Sequence, residues 1–305
     1  NQTLLPSEIV IGDDGSTDNT LAIIENLRDR IEALGIKLAV YINNHLGAHG
    51  NFKTTLVKAA FPIIAPCDQD DIWLPQKLEK CVAALDDRCD VVYCDERIIH
   101  EDGTFTDHTI CKPESILDQL FGTDLAGHLL LVRRELLDVY RVAPEITFDY
   151  GLTIAASCSN RIGHVEEELC YWRRHDAVVT TSASNHNPYG QIHMGKWKKW
   201  GKALQCSFKG YRSSPVENRY LSIKKIVEEY YVADPADKQR IIQLCKCLQR
   251  QSVGALIKAG WCYMLLRMRT LSYKKLDFKS RIANSFFNFT YPAGWWYEYR
   301  IHKSL

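Results

Sequence analysis

The sequence predicts an α/β protein with a mostly parallel sheet covered by helices on both faces, followed by a mainly helical C-terminal region. Three observations lead to this prediction. Short apolar runs alternate with amphipathic helical segments through the first part of the chain, the alternation stops near residue 190, and acidic clusters follow two of the apolar runs. Strands that alternate with helices form parallel sheets, and ligands bind at the carboxyl edge of such sheets.

The predicted elements are joined by short connections. Strands are predicted at 8–12, 37–42, 61–67 and 90–94, helices at 21–34, 52–60 and 75–85, and three further helices at 216–232, 235–249 and 253–268. The first helix has apolar residues at helical spacing, and Gly35 ends it. Both acidic clusters therefore fall where a strand gives way to a loop.

The charge distribution divides the chain into two predicted domains, 1–190 and 191–305. Residues 191–305 hold 22 Lys and Arg against 7 Asp and Glu, whereas residues 1–190 hold 16 against 30, although the whole chain has a net charge of only +1. The eleven cysteines show no paired spacing, which favours reduced thiols and a cytoplasmic protein. No secretory signal or membrane-spanning stretch is visible in the sequence.

The segment Asp68-Gln69-Asp70-Asp71 follows the predicted strand 61–67 and places three carboxylates within four residues. Carboxylates this close repel one another, and a hard cation such as Mg²⁺ or Mn²⁺, which prefers oxygen ligands, relieves that repulsion. The alternative is that these acids only cap the helix that begins near Pro75. The residues alone leave both interpretations open.

The segment DDGSTDNT, which begins at Asp13 and Asp14, follows the first strand. It is either an ordinary helix cap or a place where a carboxylate accepts a hydrogen bond from a base or ribose. A calcium loop is disfavoured, because Asn19 stands where that loop needs glycine.

Two later features are candidates for chemistry. Asp149 precedes an apolar segment and is either a general base or a helix cap. Arg173, Arg174 and His175 form a cationic patch, which suits either a phosphate or a solvated turn.

Seven segments, taken in order, carry a family resemblance. They are EIVIGDDGSTDNT, NNHLGAHGNF, PCDQDDIWLPQKLEK, DVVYCDERIIHEDG, LAGHLLLVRRELL, FDYGLTIAAS and YWRRH. Together they cover residues 1 to about 178, and they resemble the family 2 glycosyltransferases, specifically the bacterial rhamnosyltransferase-like branch. The resemblance favours ligand binding over helix capping for the two acidic clusters.

The resemblance implies a GT-A fold and an inverting transfer of a sugar from a nucleoside diphosphate sugar to a hydroxyl of a saccharide or lipid-linked acceptor, in surface polysaccharide or glycolipid synthesis. Asp149 matches the acid that deprotonates the acceptor. The implied donor-binding positions are Asp13 and Asp14 at the nucleoside, Asp68 and Asp70 at the metal and diphosphate, Arg173, Arg174 and His175 near the diphosphate, and Gly127, where the backbone approaches the sugar.

Two departures from the family pattern stand out. Family members begin with a strand and a helix ahead of EIVIGDDGS, so about 30 residues are expected to be absent, judged from the usual size of a strand–helix unit. A protein without them is expected to have little transferase activity and an exposed sheet edge. Phe148 also stands before Asp149, where an acidic residue or histidine is frequent.

The basic C-terminal region has two interpretations. Lys196 to Trp200 and the segment WWYEYR interleave aromatic and cationic residues, as interfacial membrane anchors do, so we expect either peripheral contact with the inner face of the cytoplasmic membrane or a packed helical core. Nucleic acid is not expected as a partner, because no recognisable binding motif accompanies the charge. The competing functions are an inactive nucleotide-binding scaffold and a Mg²⁺-dependent phosphotransferase.

Overall fold

The structure, a computed structural model, describes residues 1–108, 113, 115–121, 125–174, 215–250, 252–270, 274, 276–278, 280–282 and 285. The strands are β1 (Glu8–Asp13), β2 (Lys37–Ile42), β3 (Ile63–Ile64), β4 (Ile72–Trp73), β5 (Val91–His100), β6 (Phe105–His108), β7 (Leu130–Arg133) and β8 (Ile162–Arg174). The helices are α1 (Thr20–Glu32), α2 (Gly47–Leu56), α3 (Lys77–Ala84), α4 (Ile116–Phe121), α5 (Val139–Val142), α6 (Phe148–Cys158), α7 (Pro215–Tyr230), α8 (Pro235–Gln249) and α9 (Val253–Arg267). Short 3₁₀ helices lie at Gly127–Leu129 and Arg134–Asp138.

The first strand–helix–strand unit agrees with the sequence prediction. Strands β1 and β2 pair in parallel from Glu8 opposite Lys37 to Asp13 opposite Ile42, and α1 connects them. Gly35 ends the connection with a φ of +78°, a conformation that glycine adopts without strain. This arrangement places the end of β1 beside the end of β2, where both lead into loops.

The larger sheet has the strand order β3-β7-β5-β8-β4, with β6 added to β5. The predicted α/β class is confirmed, but the sheet is mixed. Among the described pairings, β1–β2 and β5–β8 are parallel and the other four are antiparallel. One reason is the tight turn at Gly103, φ +79°, which returns the chain from β5 directly into β6. Only antiparallel strands can be joined by so short a turn.

The third predicted strand is shorter than the apolar run that predicts it. Residues 61–67 are expected to form a strand, but only Ile63–Ile64 pair, with β7. Pro62 and Pro66 flank this pair and have no N–H to donate to a ladder. The remainder of the run becomes a loop that leads into Asp68-Gln69-Asp70-Asp71.

The helices α7, α8 and α9 lie close to the predicted ranges. Helix α7 packs against α5 and α6, and buried residues of all three C-terminal helices belong to the same hydrophobic core as the sheet. The predicted domain boundary near residue 190, like the aromatic segments 196–200 and 295–300, lies outside the described residues. Within the part of the chain that the structure describes, none of the helices combines the length and the apolar character required to cross a bilayer.

Candidate active site

The loop after β1 is shaped by Asp13. Its side chain is buried, and Oδ1 accepts hydrogen bonds from the backbone N–H groups of Gly15 (3.1 Å) and Ser16 (3.0 Å). Hydrogen bonds from the side chain and backbone of Ser16 hold the pKa of Asp13 below its usual range. Asp13 therefore carries a negative charge at the carboxyl end of β1 and fixes the turn that follows.

Asp14 connects this loop to helix α2. Its two carboxylate oxygens accept hydrogen bonds from Leu46 N (2.7 Å) and Gly47 N (2.8 Å), at the start of α2. A carboxylate at this position satisfies N–H groups that have no partner within the helix and complements the helix dipole. Asp14 thus caps a helix, as the alternative interpretation of this segment allowed. The capped helix is the distant α2, however, and not α1, which directly follows Asp14 in the sequence.

The acidic loop lies between β3 and β4, and its carboxylates differ in depth. Asp68 and Asp70 are half-buried, whereas only 1% of the Asp71 side chain is exposed. Asp71 Oδ1 accepts a hydrogen bond from Arg173 N (3.2 Å), and Arg173 Nε donates to the carbonyl oxygen of Asp70. Arg173, near the end of β8, therefore lies directly against the acidic loop.

His128 lies at the centre of this arrangement. Its Nε2 is 2.6 Å from Glu96 Oε2 on β5, and its Nδ1 is 3.3 Å from both Asp68 Oδ2 and Asp71 Oδ2. Burial by itself would lower the pKa of His128, but hydrogen bonds to Asp68 and Glu96 outweigh burial and raise that pKa to about 10. The imidazole is therefore a buried cation that neutralises part of the acidic loop.

Burial acts differently on Asp71. It raises the pKa of Asp71 to about 6, against the opposing effect of His128. Asp71 Oδ2 accepts no hydrogen bond from the described residues. The ionised form of Asp71 is therefore stabilised by nearby positive charge such as that of His128, 3.3 Å away.

Gly127 and Asp149 are linked through Phe148. A Cβ atom added to Gly127 would lie 2.2 Å from Cζ of Phe148, so only glycine fits beneath this ring. Phe148 is the first residue of α6, and Asp149 lies half-buried in the first turn of that helix, with Oδ1 accepting a hydrogen bond from Tyr150 N (2.8 Å). Gly127 therefore packs directly against the first residue of the helix that carries Asp149.

Helix α2 joins the first loop to α6. Phe52 stacks on Phe148 with ring centroids 4.2 Å apart, and Lys53 Nζ donates hydrogen bonds to the carbonyl oxygens of Pro144 (2.6 Å) and Ile146 (3.1 Å). One end of α2 is held by Asp14, and its side chains hold the segment that leads into Asp149. The first acidic loop and the predicted base are thus connected through a single helix.

The oxygen ligands of the acidic loop suit the predicted cation. Asp68 and Asp70 provide carboxylates at the partly exposed side of the loop, and Mg²⁺ and Mn²⁺ prefer such ligands. Ligand atoms of Asp71, His128 and Cys170 also lie within 4.8 Å of one another, deeper in the molecule. A thiol and an imidazole suit zinc better than Mg²⁺, so Asp68 and Asp70 fit the predicted cation better than this buried trio.

The structure brings together Asp68, Asp70, Arg173 and Gly127 around the His128 turn, and connects Asp14 to Asp149 through α2. The side chain of Arg174 and the whole of His175 lie outside the described residues.

Sequence reasoning missed His128 and Glu96. His128 is the polar residue within the otherwise apolar run LAGHLLLV, and such a residue is a usable signal because burial demands a partner. Glu96 follows Asp95 after the apolar run VVYC, and no comparable signal distinguishes it in the sequence.

Comparison with known proteins agrees with this architecture. Residues 1–141 match the model of glycosyl transferase family 2. An uncharacterised glycosyltransferase of Nostoc sp. is 29% identical over 202 residues, which cover 60% of this chain and 61% of the relative. TuaG of Bacillus subtilis, a glycosyltransferase provisionally named for teichuronic acid biosynthesis, is 30% identical over 131 residues, which cover 42% of this chain and 51% of TuaG. The chain thus spans about half the length of these curated relatives.

A solved structure shares the fold. Residues 1–349 of S. aureus TarS, crystallised with UDP-GlcNAc, superimpose with a TM-score of 0.52 at 15% identity, covering 99% of this chain and 85% of that one. At this identity the likeness concerns the fold alone.

Proposed function

We propose, from the match of residues 1–141 to the model of glycosyl transferase family 2, that this protein is an inverting glycosyltransferase. It moves a sugar from a nucleoside diphosphate sugar to a hydroxyl of a saccharide or lipid-linked acceptor, in surface polysaccharide or glycolipid synthesis. The observation that carries the proposal is the 127–128 turn, where Gly127 contacts the start of the Asp149 helix and His128 contacts the acidic loop. A predicted base and a predicted donor site thus flank one short turn.

The proposed roles follow from these positions. The Asp149 carboxylate accepts the proton of the acceptor hydroxyl, whose oxygen forms a bond to the anomeric carbon as the bond to the diphosphate breaks. Asp13 and Asp14 line the nucleoside side of the site. Gly127, expected from the resemblance to lie at the sugar, instead packs against the Phe148 ring ahead of Asp149. Arg173, with Arg174 and His175 after it, supplies positive charge for the diphosphate.

Asp68 and Asp70 would hold Mg²⁺ or Mn²⁺, which would supply positive charge for the departing diphosphate. TarS was crystallised with a nucleotide sugar and with UDP, which supports a donor of this class.

Activity measurements on two variants test the proposal. We expect metal-dependent hydrolysis or transfer of a nucleotide sugar by the wild-type protein, and a loss of at least about a hundredfold in both Asp70→Asn and Asp149→Asn, in line with the contribution of a general base. Turnover that is unchanged in both variants would show that the assigned roles are wrong. A wild-type protein that binds a nucleoside diphosphate but turns nothing over would favour an inactive scaffold, and release of phosphate from a phosphomonoester would favour a phosphotransferase.

Peripheral contact with the inner face of the cytoplasmic membrane is a further part of the proposal. Ile257, Trp261, Leu265 and Met268 recur at helical spacing along α9 and its end, and all four are exposed. Exposed apolar stripes on a helix mark interaction surfaces, and the net charge of +15 in residues 191–305 favours anionic lipid headgroups.

Vesicle flotation tests this contact. We expect binding to anionic vesicles at low salt, weaker binding to neutral vesicles, and weaker binding by Trp261→Glu. Val232→Glu is the matched control, because Val232 is also an exposed apolar residue but lies outside the stripe. Absence of binding to anionic vesicles at low salt would contradict the membrane proposal.

A further inference from the structure

We propose that His128 is a positioning residue for the cation site, and that it holds the acidic loop in the geometry that binds Mg²⁺ or Mn²⁺. The inference rests on the proposed function, since it assumes that Asp68 and Asp70 are the cation's ligands. The His128 cluster is defined here as His128, Glu96, Asp68 and Asp71.

The cluster leads from the core to the surface of the loop. The exposed fractions of the side chains are 2% for Glu96, 4% for His128, 1% for Asp71 and 38% for Asp68. One ring nitrogen faces Glu96 at 2.6 Å, and the other faces the two aspartates at 3.3 Å. The ring therefore bridges strand β5 and a loop with no regular structure of its own.

The position of His128 is fixed from several directions. Lys77, which is fully buried, donates a hydrogen bond from Nζ to the carbonyl oxygen of His128. On the preceding residue, the Phe148 ring packs against Gly127 so closely that no Cβ atom would fit between them. The Trp172 ring lies 6.1 Å from the imidazole. A ring held this firmly can determine the orientation of the carboxylates that it contacts.

The contact with Asp71 gives the same direction. The Asp71 side chain is buried, and its Oδ2 lies 3.3 Å from His128 Nδ1. Removing the imidazole would leave a cavity between β5 and the acidic loop, and the carboxylates of the loop would lose the group that orients them. Outer-shell groups that orient metal ligands commonly change metal affinity by about 10–100-fold when they are removed.

The test measures Mn²⁺ binding directly. Free Mn²⁺ is followed by electron paramagnetic resonance during titration of the full chain in saturating UDP, dTDP or GDP, each in a separate series. With the nucleotide that supports Mn²⁺ binding by the wild-type protein, we expect His128→Gln to bind Mn²⁺ at least about tenfold more weakly than the wild-type protein does.

His164→Gln is the matched control. His164 is also buried on the large sheet and paired with a carboxylate, with Nε2 2.8 Å from Asp95 Oδ1 and its ring stacked on Tyr93 at 4.3 Å. Its described partners do not include the acidic loop. A merely structural role for His128 predicts similar losses in both variants, whereas the positioning role predicts a Mn²⁺ affinity within about threefold of wild type for His164→Gln.

The outcomes separate the inference from the proposed function. A His128→Gln variant that is folded and binds Mn²⁺ as tightly as wild type would overturn the inference while leaving the proposed function intact. A wild-type protein that binds Mn²⁺ in none of the three nucleotides would contradict both. If His128→Gln does not fold, Glu96→Gln replaces it, because it removes the carboxylate that holds the imidazole and leaves the acidic loop unaltered. Unchanged Mn²⁺ affinity in that variant would equally overturn the inference.

Discussion

At the scale of single residues, Gly127 and Phe148 form a contact that neither residue reveals alone. The sequence resemblance places a glycine near the sugar and treats Phe148 as a departure from the family pattern. The structure shows that the two residues fit each other, since the Phe148 ring occupies the space where a Cβ of residue 127 would lie. Phe148 is therefore a packing residue at the first position of the Asp149 helix.

Gly127→Ala tests this contact. Because a methyl group cannot enter without displacing the buried Phe148 ring, we expect the free energy of unfolding to fall by about 1–3 kcal/mol and kcat to fall with it. Urea unfolding and turnover are the measurements. Gly254→Ala is the control, because a Cβ at Gly254 meets nothing within 4 Å, and a gain of up to about 1 kcal/mol is expected in an exposed helix. Equal effects in both variants would contradict the role assigned to Gly127.

A pH dependence follows from His128. Because its pKa is raised to about 10 in the folded protein, from about 6.5 in an unfolded chain, its charge contributes stability that is fully present below the unfolded value and is lost as pH rises towards the folded value. We expect His128→Gln to lower the free energy of unfolding by about 3–5 kcal/mol at pH 7, and the deficit to narrow by pH 10. Urea unfolding in EDTA measures the free energy of unfolding of both proteins at pH 7 and pH 10. A difference between the two proteins that does not change with pH would contradict a charged His128.

At the scale of elements, the sequence predicts helices from their own periodicity and misplaces a helix end that depends on a distant partner. The ranges of α8 and α1 follow closely from their periodic residues. Helix α2 begins at Gly47, five residues before the predicted start, because Asp14 supplies its cap from 33 positions away. No local pattern shows such a cap, and for the same reason the partners of His128 could not be predicted.

Substitution of Asp14 tests this cap. We expect Asp14→Ala to lower the free energy of unfolding by about 0.5–2 kcal/mol and Asp14→Asn to recover most of that loss, because asparagine is as good a cap as aspartate. Urea unfolding of the three proteins is the measurement. If the asparagine variant is no more stable than the alanine variant, Asp14 does not act through the start of α2.

At the scale of the whole molecule, one hydrophobic core includes described residues from both of the predicted domains. Arg219 on α7 lies 4.0 Å above the ring of Tyr150, the neighbour of Asp149, and Arg267 on α9 is paired with Asp118 on α4 at 2.5 Å. The charge difference between the two halves predicts separate surfaces, which is a different property from separate cores. Charge is read from composition, whereas packing between distant helices is not.

Truncation tests this continuity. Because α6 is buried along nearly its whole length and packs against α7, we expect a chain that ends at residue 190 to lose cooperative unfolding and to bind a hydrophobic dye. Thermal unfolding followed by circular dichroism measures the first, and dye fluorescence the second. A truncated chain that unfolds cooperatively at the wild-type temperature would show that residues 1–190 are an independent domain.

The central claim, that the acidic loop is a metal-dependent donor site beside the Asp149 base, is tested most directly by thermal shift with nucleoside diphosphates. We predict that at least one of UDP, dTDP and GDP raises the Tm of the wild-type protein in Mn²⁺ but not in EDTA, by linkage of binding to folding. Asp70→Asn should lose this shift, and Asp149→Asn should keep it while losing turnover. A shift that is the same in Mn²⁺ and EDTA, or that survives in Asp70→Asn, would contradict the claim.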